Sequence, residues 1–69
     1  MNIIEATRLS LETGKYITRK GTPFEEMFKF KPTNTSDCFI IENVDKSRRR
    51  VRWNPCAADI LCENWELVD

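Results

Sequence analysis

The sequence predicts an α+β fold: an N-terminal helix packed on a small antiparallel sheet of about five strands, with a short second helix before the last strand. Three observations lead there. Apolar residues recur at helical spacing up to Gly14. Period-two alternation takes over from Tyr16. Glycine, proline and polar clusters then interrupt the alternation at short intervals.

The first helix opens at Asn2, a capping side chain with Glu5 as its capping-box partner. Ile4 and Leu11 stand two turns apart, and Ala6 and Leu9 widen their apolar face. Gly14 supplies the left-handed residue that commonly ends a helix. A first strand runs from Tyr16 to Lys20 and breaks at Gly21-Thr22-Pro23. Met27–Lys31 is the second strand, with Phe28 and Phe30 facing one way and Lys29 and Lys31 the other; Pro32 stops its ladder or marks an edge. Thr33–Asp37 reads as a polar loop, and Cys38–Ile41 as a third strand, apolar enough to be buried on both sides. After a turn at Asn43–Ser47, Arg49–Trp53 returns as a fourth strand, Arg50 and Arg52 on one face, Val51 and Trp53 on the other. Asn54-Pro55 resembles a helix start, a capping side chain and then proline at the first helical position, so Cys56–Cys62 forms one or two turns. Trp65–Val68 closes the sheet with Trp65 and Leu67 on a shared face.

Length and composition bound the function. Sixty-nine residues make one small domain, 1–69, with 41% apolar residues to build a core. Such a core is marginal, and small domains often rely on disulfides, metal or a partner subunit. Three cysteines are an odd number for a disulfide scaffold, and with no histidine a metal site would fall to thiols and carboxylates. No metal and no cofactor are therefore expected, and a homo-oligomer is the favoured remedy. Eleven basic and eleven acidic residues cancel, which argues against nucleic-acid binding driven by bulk charge. No apolar run approaches a membrane span and no signal-peptide pattern opens the chain, so the expected compartment is the cytosol.

Neutrality conceals a blocky pattern. Lys46, Arg48, Arg49, Arg50 and Arg52 crowd one hairpin, whereas residues 32–45 and 53–69 are acidic. No glycine-rich phosphate loop is present, and Ser10, Ser36 and Ser47 have no local base, so an enzyme is not expected. The arginine hairpin leads directly into Trp53. Guanidinium forks suit phosphate and an indole face suits a purine, which together suggest a phosphorylated, base-containing ligand. Strand alternation makes the arginines unequal, with Arg52 expected on the ligand and Arg48 a solvated turn residue. Alternatives stand beside each assignment. Trp53 is a stacking face or a core plug; Arg19 and Lys20 form an anion-facing corner or a polar turn. Asp59 is a ligand acceptor or a carboxylate at a helix start; Phe24 is a stacking platform or a minor core residue.

Two segments carry a family resemblance. Met1-Asn2-Ile3-Ile4-Glu5-Ala6, then Gly14-Lys15 and Thr18-Arg19-Lys20, resemble the start of a small phage and prophage family. Trp53-Asn54-Pro55, Asp59-Ile60-Leu61 and Trp65-Glu66-Leu67-Val68-Asp69 resemble its end. The family is the second type of Thoeris anti-defence protein. The resemblance implies a sponge that sequesters glyco-cyclic ADP-ribose, the signal of bacterial TIR-domain immunity, or a cyclic oligonucleotide, without cleaving it. It also implies a homotetramer with ligand pockets between subunits. On matching positions it implies that Trp53 stacks on a base, Asp59 hydrogen-bonds the ligand, and Arg19 and Lys20 line the rim. Phe24 substitutes for the tryptophan that follows the family's basic corner. The alternatives are a small protein-interaction module docking on a host protein, or an arginine-rich nucleic-acid-binding domain.

Overall fold

The computed structural model describes residues 1–69. Helix α1, Ile3–Thr13, begins where the Asn2 side chain accepts the Glu5 N–H at 2.9 Å and ends at Gly14, whose φ of 77° lets its N–H reach the Ser10 carbonyl. Its buried stripe is Ile3, Ala6 and Ser10, while Ile4 and Leu11 are 67% and 49% exposed. The apolar face expected from Ile4 and Leu11 is thus corrected by about one residue of rotation. Small side chains at Ala6 and Ser10 let the helix lie close on the sheet, and the Ser10 hydroxyl is satisfied by donating to the Lys15 carbonyl.

Strand β1, Tyr16–Arg19, is followed by a helix, α2, Pro23–Met27, where the sequence suggested only a break. The signal was present but unread. Thr22 Oγ1 accepts the Phe24 N–H at 3.2 Å, Pro23 stands in the first turn, and Glu25 and Glu26 follow. Strand β2, Phe28–Pro32, therefore starts one residue later than expected and includes Pro32 as its last residue. Strand β3, Phe39–Asn43, is displaced likewise: Cys38 lies outside it, exposed, with φ of 56°, and only Ile40 is fully buried. Strand β4 shrinks to Arg49–Arg50. Helix α3, Ala57–Leu61, starts at Cys56 rather than Asn54-Pro55, because Asp59 Oδ2 accepts the Cys56 N–H at 2.8 Å. Strand β5, Trp65–Val68, completes one antiparallel sheet ordered β4-β3-β2-β1-β5.

Pairing Ile17↔Phe30, Phe30↔Ile41 and Ile17↔Leu67 puts these side chains on one face, which the helices cover. The core there is Ile3, Ala6, Ile17, Phe30 and Trp65. The opposite face is polar and centred on Tyr16, whose hydroxyl donates to Glu42 Oε2 at 2.9 Å; Lys29 Nζ lies 4.2 Å from its ring centroid. Arg49 Nε approaches the same Glu42 carboxylate at 3.9 Å.

That hydrogen bond to Glu42, then burial and the Glu42 charge, hold the Tyr16 phenol above its ordinary pKa despite the Arg49 charge. Since the folded value exceeds the unfolded one, the stabilisation is complete below the ordinary phenol range and is lost as pH rises through the folded pKa. Tyr16 is the only tyrosine, so phenolate absorbance reads it alone. Its midpoint should lie above that of free tyrosine, about 10, and should fall towards it in Glu42→Gln.

Candidate functional site

The helix-covered face carries the residues of interest. Arg19, last in β1, pairs across from Trp65 and shares its face with Ile17. Its Nη1 donates to Asp59 Oδ1 at 2.9 Å, with the side chains 18% and 4% exposed. The guanidinium lies 5.3 Å from the Phe24 ring centroid. The Cys62 thiol is the main group raising the Arg19 pKa, ahead of Asp59, while burial opposes both. Arg19 Nε is buried and makes no hydrogen bond. Asp59 is therefore committed within the chain: Oδ1 to Arg19, Oδ2 to Cys56, and its carbonyl to the Trp65 indole N–H at 2.9 Å.

Trp53 reaches the same face through an irregularity. Ile41 pairs with Arg50, yet the Trp53 N–H binds the Phe39 carbonyl at 2.9 Å, so three steps on one strand oppose two on the other. Arg52, with φ of 59°, takes up the extra residue as a bulge. Expected alternation is thereby corrected. Arg50 and Trp53 share a face, and Val51 is exposed. The Trp53 indole is half-buried, 4.3 Å from Phe30, 5.8 Å from Phe39 and 6.4 Å from Trp65 between centroids. Phe24 packs on Phe28 and Phe30 from α2.

The structure thus gathers Arg19, Phe24, Trp53 and Asp59 on one aromatic face. Lys20 turns to the other side, 4.0 Å from Glu66, as alternation after Arg19 requires. Arg52 directs Nε to the Ser36 carbonyl at 3.3 Å and its backbone N–H to Asp37, fastening the β2–β3 loop. Sequence reasoning passed over Phe28, Ile41, Cys62 and Trp65, which join this face; the spacing of Phe28 with Phe30 and of Trp65 with Leu67 was the available signal. The three cysteines are free thiols, no cluster of three or more Cys, Asp or Glu stands ready for a metal ion, and no helix is long and apolar enough to cross a membrane.

Taken together these features describe a small α+β domain whose chemical character lies in an aromatic and arginine-bearing sheet face. A family model, the Thoeris anti-defense 2-like domain, matches residues 1–68, and the chain belongs to that family. Its role is accordingly one in anti-defence against Thoeris immunity. No curated protein and no solved structure matches the chain significantly.

Because Asp59 is buried and answers both Arg19 and the start of α3, Asp59→Ala leaves a cation and an amide without partners. The variant should lose about 3 kcal/mol of stability in urea unfolding. Replacing both partners with apolar residues, Arg19→Met with Asp59→Leu, should recover part of that loss.

Proposed function

We propose that this protein counters Thoeris immunity by sequestering a cyclic nucleotide signal, glyco-cyclic ADP-ribose or a cyclic oligonucleotide, and releasing it unchanged. The observation that carries this reading is the half-buried Trp53 indole, set among Phe30, Phe39 and Trp65 on a face bearing arginines. An indole held by packing offers a base a rigid stacking partner, and guanidinium forks suit its phosphates. Phe24 offers a second ring. Arg19 supplies a cation on this face, oriented by Asp59, whereas Lys20 and Arg52 serve elsewhere, on Glu66 and on the β2–β3 loop. The reading is non-enzymatic, with no cofactor, and places the protein in the cytosol of the host bacterium.

Assembly is part of the proposal. Ile4 and Leu11 on α1, with Ile60 and Leu61 on α3, leave large apolar side chains exposed. A homotetramer would cover them, and subunit walls would close pockets that one chain leaves open.

Incubation with cyclic ADP-ribose isomers and cyclic oligonucleotides, followed by filtration and heating of the retained protein, tests the sequestration. Intact ligand should return on heating; a new product in the filtrate would mark an enzyme, and a co-purifying host protein would favour an interaction module. Trp53→Ala, checked for folding by circular dichroism, should weaken retention by about 1–3 kcal/mol. Light scattering should give a mass several times the 8.1 kDa of one chain, and a monomer unchanged by ligand would remove the shared pocket.

A further inference from the structure

The arginine hairpin sorts its side chains in a way that the sequence does not announce. Glu42 pairs with Arg49, and Arg49 shares its face and its carboxylate. Asn43 donates its backbone N–H to the Arg48 carbonyl, and Ile41 pairs with Arg50, so Arg48 and Arg50 stand on the opposite face, with Phe30 and Trp53. Phe28, Ile41, Asn43, Arg48 and Arg50 line one open cleft of about 210 Å³. No carboxylate lines it, and neither arginine forms an ion pair anywhere in the chain. Two unpaired guanidinium groups two residues apart thus flank an apolar floor, on the same sheet face as the Trp53 indole.

We infer that Arg48 and Arg50 form a phosphate-holding subsite, taking a pyrophosphate or phosphodiester group of a ligand whose base stacks at the aromatic face. The inference deepens the proposed sequestration and rests on it for the ligand's class. Paired planar forks suit the several oxygens of a phosphate better than a single ammonium would. The cleft is smaller than the roughly 300–1,000 Å³ of sites that enclose a drug-sized ligand, so it suits one group of a larger molecule. Its two lining arginines are those that the bulge at Arg52 aligns with Trp53. Arg49 and Arg52 are spent elsewhere, on Glu42 and on Ser36.

Equilibrium dialysis with inorganic pyrophosphate and with glyco-cyclic ADP-ribose tests this directly, because Arg48→Gln and Arg50→Gln alter exposed side chains without disturbing the core. Each variant should weaken both probes about tenfold or more, the scale of a charge-assisted hydrogen bond, whereas Arg49→Gln and Arg52→Gln should stay within about twofold. Glyco-cyclic ADP-ribose retained equally by all four variants would overturn the subsite while leaving sequestration intact. Pyrophosphate binding that needs Arg48 and Arg50, with no cyclic nucleotide retained, would uphold the subsite and overturn sequestration. Failure of the wild-type protein to bind either probe would overturn both. An oligoglutamate peptide displacing pyrophosphate at equal concentration would overturn the phosphate assignment in favour of an acidic protein segment.

Discussion

The Arg19–Asp59 ion pair is the constraint on which the rest of the molecule depends. It ties the end of β1 to α3, and through the Asp59 carbonyl it fixes the indole of Trp65 in β5. Phe24 of α2 lies under the same guanidinium. Four elements thereby meet at one charged contact, almost wholly out of water, in a chain whose buried apolar cluster is only five residues. A buried pair of this kind need not add net stability over apolar substitutes. Its consequence is geometric: neither partner can be removed or moved without stranding the other, so the aromatic rings around it are held in one arrangement.

A second constraint acts at the other edge of the sheet. Without the bulge at Arg52, Trp53 would point away from Phe30, and the hairpin would offer Arg48 and Arg50 on one face and its indole on the other. One residue in the left-handed region resolves this. Arg52 accepts a costly backbone conformation for a residue other than glycine, and its N–H and Nε bonds to Asp37 and Ser36 hold it there. The same bonds draw in the β2–β3 loop, so the strain is distributed across a docked segment.

What the sequence made legible follows from how local each signal is. Asn2 and Gly14 bound α1 because capping and left-handed termination are decided by a few neighbouring atoms, and alternation, with one short apolar run at Cys38–Ile41, located the five strands for the same reason. The rotation of α1 was hidden because Ile4 and Leu11 satisfy helical spacing as well as Ile3, Ala6 and Ser10 do; only close approach to the sheet prefers the small residues. Arg19, Phe24, Trp53 and Asp59 were identifiable by residue type, but the pairing of Arg19 with Asp59 spans forty positions and leaves no trace in spacing. Lys20 and Arg52 were grouped with them by proximity in sequence, which a strand reverses at every step and a bulge reverses again.

The aromatic face does two jobs that usually fall to separate parts of a larger protein. Phe30 and Trp65 are core residues, buried against α1, while Trp53 and Phe24, packed on Phe30, remain partly open to solvent. In 69 residues there is no second layer to support a separate pocket, so the packing that folds the chain also presents the rings. This economy limits enclosure. A site that binds a nucleotide tightly covers most of its surface, and an open cleft beside one half-buried indole covers little. For the proposed site the remaining walls would come from further copies of the chain, packed on the apolar side chains left outward on α1 and α3. On this reasoning the rotation of α1 and the proposed binding of a nucleotide would belong together: residues that one chain leaves unburied would be the means by which the proposed assembly closes around a ligand.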